Sequence, residues 1–124
     1  KLVQDVLKGY GQTLEYPIPP NTFGAKEPAG EIFSLEEAQK VLTKNGWKLN
    51  QDGIFEKELS KKEKITLEFS ISTSGESEEL KNIANSVQAM WRALGARVEI
   101  KFFETGDLQK IIAERNYDSL LFGE

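Results

Sequence analysis

Two stretches of strict apolar and polar alternation flank one long helical stripe, and that pattern restricts the chain more than anything else in it. Ile65, Leu67, Phe69 and Ile71 fall on one face, and Thr66, Glu68, Ser70 and Ser72 on the other. This is the period-two signature of a strand with one wetter face. Thr73-Ser74-Gly75 breaks the run. Glu76, Glu78 and Glu79 then suit the positive end of a new helix, whose buried stripe is Leu80, Ile83, Ala84, Val87, Met90, Trp91 and Leu94, closed by Gly95. Val98, Ile100 and Phe102 alternate again, Thr105-Gly106-Asp107 offers caps, and Leu108, Ile111 and Ile112 mark a shorter helix ending near Asn116. Tyr117 to Phe122 reads as the last strand. Strand, helix, strand, helix, strand with short connections implies right-handed crossovers and a parallel sheet covered by helices. The expected class is α/β: a small parallel-core sheet (βαβαβ) flanked by helices.

Upstream of this unit, Ser34-Leu35-Glu36-Glu37 has the form of a capping box, in which hydroxyl and carboxylate satisfy each other's backbone amides. Leu35, Ala38, Val41 and Leu42 give a stripe that ends at Asn45-Gly46, with Trp47 packing over the end, so a helix is expected over 35–45. Asp52-Gly53 lies between Leu49 and Ile54-Phe55, which predicts an accessory β-hairpin with a type I′ turn. The mixed charge run Lys57 to Lys64 lacks periodicity and reads as a solvated loop. Residues 10–33 hold all four prolines, Pro17, Pro19, Pro20 and Pro28, with Tyr10, Leu14, Tyr16, Ile18 and Phe23. So many aromatic and aliphatic residues predict a packed N-terminal Pro-rich arm rather than a free linker. The expected division is 1–33, a helix end plus this crossing arm, and 34–124, the α/β subdomain.

Composition excludes several function classes. The chain has no Cys and no His, which removes thiol nucleophiles, imidazole bases and the usual ligand sets for zinc, copper and haem iron. No enzyme activity, metal or cofactor is expected. Net charge is −4 with basic residues dispersed along the sequence, so there is no electrostatic footprint for nucleic acid.

Both ends read as interior. Leu2, Val3, Val6 and Leu7 followed by Gly9 look like the last turns of a helix, and Lys1 stands where an initiator Met is expected. Tyr117 to Glu124 reads as a strand running into an unused turn. The expectation is a piece of a larger protein.

The order and joints of these elements resemble the solute-binding proteins of bacterial peptide and nickel ABC importers, extracellular solute-binding family five. The matching pieces are Gly9-Tyr10-Gly11 leading to Tyr16-Pro17-Ile18-Pro19-Pro20, Ser34 through Leu42 ending in Asn45-Gly46-Trp47, and Asp52-Gly53. The strand Ile65 to Ser72, the helix through Ile83-Ala84 and Val87-Gln88 to Leu94-Gly95-Ala96, the strand Arg97 to Phe103, and Tyr117-Asp118 before Gly123 complete the match. The resemblance implies an inner portion of the carboxyl-terminal lobe of a two-lobed receptor. It also implies a receptor that captures a peptide or other small solute outside the cytoplasmic membrane, in the periplasm or as a lipoprotein, and hands it to a permease. In peptide-binding members the strand after the Tyr-Asp pair carries polar or basic contacts; here Leu120, Leu121 and Phe122 are apolar, so no carboxylate-pairing Arg carries over.

In parallel sheets ligands sit at the carboxyl ends of strands, where helix N-termini present free amides. This selects Ser72, Thr73, Ser74 and Gly75 after the first strand, Glu104, Thr105 and Gly106 after the second, and Phe122, Gly123 and Glu124 after the third. The candidate ligand-binding set is Ser72, Thr73, Ser74, Gly75, Phe122 and Gly123, although Ser74 and Thr105 equally suit helix caps, and capping is the simpler role for both. Trp47 and Trp91 read as packing residues. Asp118 shows no companion. A second reading is a stand-alone α/β domain that binds another protein through its Pro-rich arm; a third, an enzyme subdomain, requires catalytic residues beyond the two ends.

Overall fold

A computed structural model describes residues 2–11 and 34–123, so most of the Pro-rich arm, with all four prolines, lies outside the described residues. The chain divides into two compact units, 1–34 and 35–124. In the first, helix α1 spans Leu2–Asp5 and unwinds through Lys8 and Gly9, both at positive φ, with the Gly9 amide donating to the Val3 carbonyl at 2.7 Å.

The second unit contains α2 (Leu35–Lys44), β1 (Lys48–Leu49), β2 (Phe55–Ser60), β3 (Glu63–Thr66), β4 (Glu68–Ser74), α3 (Glu78–Leu94), β5 (Arg97–Phe103), α4 (Thr105–Glu114) and β6 (Ser119–Leu121). β4, β5 and β6 form a parallel sheet in the order β5-β4-β6, with Thr73 beside Phe102 on one side and Leu121 on the other. The expected βαβαβ core is therefore present. Because β5 and β6 flank β4 on opposite sides, right-handed crossovers put α3 and α4 on opposite faces of the sheet. Burial agrees: Ile71 and Thr73 are buried on one face of β4, Ser70 and Ser72 on the other. The face expected to be wetter is thus covered. Ile71, Ala96 and Val98 form the central cluster, with Leu67, Phe69, Val87 and Leu121 packed against it.

α3 follows the predicted stripe. Ser77 accepts from the Leu80 amide at its start, and Gly95 at φ 115° closes it with its amide shared between the Trp91 and Arg92 carbonyls. Ala84 is fully buried, the Gln88 side chain donates to the Val98 carbonyl at 2.8 Å, and Trp91 meets Phe69 edge-on with centroids 5.2 Å apart. Trp91 packs with one side only, its remainder being exposed.

Four expectations are corrected upstream. The alternating run from Ile65 is not one strand but two, because Leu67 changes partners: its amide donates to Phe55 at 2.7 Å while its carbonyl accepts from Arg97 at 2.9 Å. One period-two sequence thereby serves two sheets. The charge run 57–64 is no loop; it builds most of the β2–β3 hairpin, with Lys64 within 4 Å of Glu56 and Glu58 across the strands. The connection between β1 and β2 is a five-residue loop, not a two-residue type I′ turn. Asn50 organises it, its side-chain oxygen accepting from the Asp52 and Ile54 amides, and only Gly53 takes positive φ. The accessory hairpin is thus a three-stranded antiparallel meander, β1-β2-β3. α2 ends through Asn45 and Gly46 as expected, but Val41, placed in its buried stripe, is exposed.

Phe55 fastens the meander. It is buried, its amide donates to the Gly95 carbonyl at 2.7 Å, and its ring lies so close to Gly95 that a Cβ there would sit 2.7 Å from the ring edge. Glycine is required twice at this position, by space and by a left-handed φ.

Candidate functional site

The carboxyl ends of β4, β5 and β6 open on one rim of the sheet, and the structure sorts the six sequence candidates by depth. Ser72 and Thr73 lie within β4, at 1% and 0% exposure, and the Thr73 hydroxyl donates to the Leu121 carbonyl at 2.8 Å. The Thr73 bond holds β6 against β4 from below. Ser74 and Gly75 are half-buried where the strand ends, while Phe122 and Gly123 are exposed beyond β6. Phe102, paired with Thr73 at the end of β5, adds a second exposed aromatic side chain.

The capping roles expected of Ser74 and Thr105 are corrected. Ser77 caps α3, and the Ser74 hydroxyl instead accepts from the Glu76 amide at 3.3 Å. Thr105 is already the first residue of α4; Glu104 occupies the cap position and makes no side-chain cap bond. The cap comes from another segment. Glu76, in the β4–α3 connection, accepts from the Thr105 amide at 3.4 Å through one carboxylate oxygen and from the Thr105 hydroxyl through the other. The Thr105 hydroxyl, and then its amide, hold the Glu76 carboxyl below its ordinary range. Beside this pair the Gly75 amide donates to the Phe103 carbonyl at 2.9 Å, and a Cβ on Gly75 would stand 3.3 Å from that of Phe102. The two connections are therefore laid tightly against each other. The Gly75, Glu76 and Thr105 amides are satisfied within this pair of connections.

Asp118 does have a companion, on the opposite half of the sheet. Its carboxylate accepts from the Ser70 amide at 3.0 Å and the Ser70 hydroxyl at 3.1 Å, and the Ser119 hydroxyl returns a bond to the Ser70 carbonyl at 2.8 Å. Those bonds, the amide foremost, hold Asp118 below the usual aspartate range. Glu68, Arg97, Glu99 and Lys101 join it around a groove of about 240 Å³. A wider depression of about 600 Å³ is lined, among the described residues, by Glu36, Gln39, Lys40, Thr43 and Lys44 of α2. Among the described residues no cluster of three or more metal-ligating side chains occurs, and no helix is long and apolar enough to cross a membrane.

Glu76–Thr105 and Asp118–Ser70 span 29 and 48 residues. Local periodicity carries no trace of pairings at that range; only the polar residues at strand ends marked their neighbourhood.

No curated protein matches the chain. Among solved structures it is similar to NikZ from Campylobacter jejuni in complex with Ni(L-His), with TM-score 0.80 and 21% identity, and to the oligopeptide-binding protein AppA from Bacillus subtilis in complex with a nonapeptide, with TM-score 0.81 and 22% identity. The alignments cover 98% and 99% of this chain but only 23% and 25% of theirs. The chain spans about a quarter of the length of these structures. The sequence profile of bacterial extracellular solute-binding proteins, family 5, middle region, matches residues 1–123, and on that match the chain belongs to this family of binding proteins.

Proposed function

We propose that the chain is part of the substrate-binding protein of an ABC importer, one that captures an oligopeptide outside the cytoplasmic membrane and delivers it to a permease. The family match over residues 1–123 carries the transport reading. The peptide reading draws on the likeness to AppA and on the exposed aromatics Phe102 and Phe122 at the rim, which offer apolar surface to side chains of varied sequence. In this reading Ser74, Gly75, Phe122 and Gly123 face the solute, and Ser72 and Thr73 fix the strand ends beneath them.

The work of such a protein is binding and closure, with no chemistry on the ligand. A solute that touches both lobes stabilises the closed form over the open one, and the permease responds to that difference. Free residence in a periplasm and lipid anchoring on the outer face of the cytoplasmic membrane both suit this role.

Calorimetric titration of the full-length protein with a mixed oligopeptide library and, separately, with a nickel–histidine complex tests the proposal. Saturable binding of peptides supports it. Binding of the nickel complex alone moves the solute assignment to the chemistry seen in NikZ, and a natural product no larger than this segment favours the stand-alone interaction domain instead.

A further inference from the structure

Helix α4 begins without a cap of its own, and the residue that supplies one lies 29 positions upstream. We propose that Glu76 is the positioning residue of the rim: its carboxylate caps α4 across the chain, ties the β4–α3 and β5–α4 connections into one unit, and denies the α4 N-terminus to anionic groups of a solute.

Three bonds carry the argument. Both carboxylate oxygens of Glu76 are engaged by Thr105, one through the backbone amide and one through the hydroxyl, and the adjacent Gly75 amide is bound to Phe103. A carboxylate at a helix N-terminus is where the aligned peptide dipoles and unsatisfied amides attract negative charge most strongly. At most helix starts a side chain of the cap residue fills this place. Here Glu104 does not, and Glu76 takes the position a bound anion would otherwise hold. Other donors nearby are also spent: the Glu76 amide on Ser74 and the Leu80 amide on Ser77. The Glu76 carboxylate consequently sets negative charge in front of the α4 N-terminus. A solute reaching it does so with neutral or donor groups, such as an ammonium or a peptide N–H, rather than with a carboxylate.

The geometry rests on the fold alone; only the claim that the rim faces solute rests on the proposed function. The test separates the two. Amide hydrogen exchange is followed over residues 104–108 of the full-length protein, in wild type and in Glu76→Ala, Glu76→Gln and Thr105→Val, with and without added acetate as a stand-in for the missing carboxylate. Glu76→Ala is expected to speed exchange about fivefold, the factor that loss of one helix cap gives. Acetate should restore protection in Glu76→Ala and leave wild type unchanged, a response that loss of packing cannot produce. Glu76→Gln, which keeps the shape, should remove the fall in protection that wild type shows on acidification. Unchanged exchange in Glu76→Ala, or acceleration that acetate does not reverse, overturns the proposal. Failure of the protein to bind peptide, with these exchange effects intact, removes the peptide reading and leaves the clamp standing.

Discussion

The parallel sheet and the antiparallel meander have the same number of strands and are stabilised in opposite ways. β4 is covered on both faces and carries the buried residues Ser70, Ile71, Ser72 and Thr73. In the meander every residue of β1 and β3 is exposed, and Phe55 in β2 is its single fully buried residue. The parallel unit is held by a distributed core with long-range polar ties. The meander is held by one aromatic anchor and by Leu67, which bonds to both sheets. A distributed core tolerates a single loss; an anchor does not.

The largest effect is therefore expected at the anchor. Phe55→Ala should cost about 3–5 kcal/mol by denaturant titration and release the exchange protection of β1–β3 while β4–β6 stay protected. Equal loss of protection in both sheets breaks the contrast. Gly95→Ala should follow at about 2–4 kcal/mol, because its Cβ would meet the Phe55 ring at 2.7 Å and an L-residue is forced into a left-handed conformation. Gly95→Ala combined with Phe55→Leu should recover part of that loss, since the ring contact is relieved while the backbone strain and the 3.1 Å approach to Leu49 remain.

Asp118→Asn ranks lower and is read through pH. Asp118 and Glu76 titrate below their ordinary values in the folded protein, so each contributes stability that is present above the unfolded carboxylate range and lost as pH falls through the depressed value. The acid limb of the stability curve should shallow in Asp118→Asn and shallow further in the double variant with Glu76→Gln. An unchanged limb removes both pairs from the account. The smallest effect belongs to the meander's charges: Lys64→Ala, whose partners Glu56 and Glu58 lie 3.9 and 3.6 Å away on solvated strands, should change stability by less than about 0.5 kcal/mol.

The same contrast explains what could be read from the sequence. In the parallel unit each element carries its own period, so β4, α3, β5, α4 and β6 stand within a few residues of their predicted places, and the cap at Gly95 was visible as a helix stop. The accessory hairpin is legible from Asp52-Gly53, but the β2–β3 half of the meander is not: Lys57 to Lys64 has no hydrophobic alternation to detect, and its pairing arises from neighbouring strands and opposite charges. Leu67 was hidden for a different reason, since unbroken alternation cannot show that a strand has changed sheets. At the rim, the strand ends were located by topology, but the depth of Ser72 and Thr73 and the partnership of Glu76 with Thr105 depend on three-dimensional register. The buried polar face of β4 follows from α4 crossing to the second face, which a one-dimensional pattern does not encode.

In the proposed receptor, solute is met at the carboxyl ends of β4, β5 and β6. Amide exchange of the full-length protein, with and without a saturating oligopeptide, decides whether it is. Added protection is expected at 74–76, 103–106 and 121–123, with the groove around Glu68, Arg97, Lys101 and Asp118 unchanged. Protection at that groove, with the rim unaltered, would contradict it.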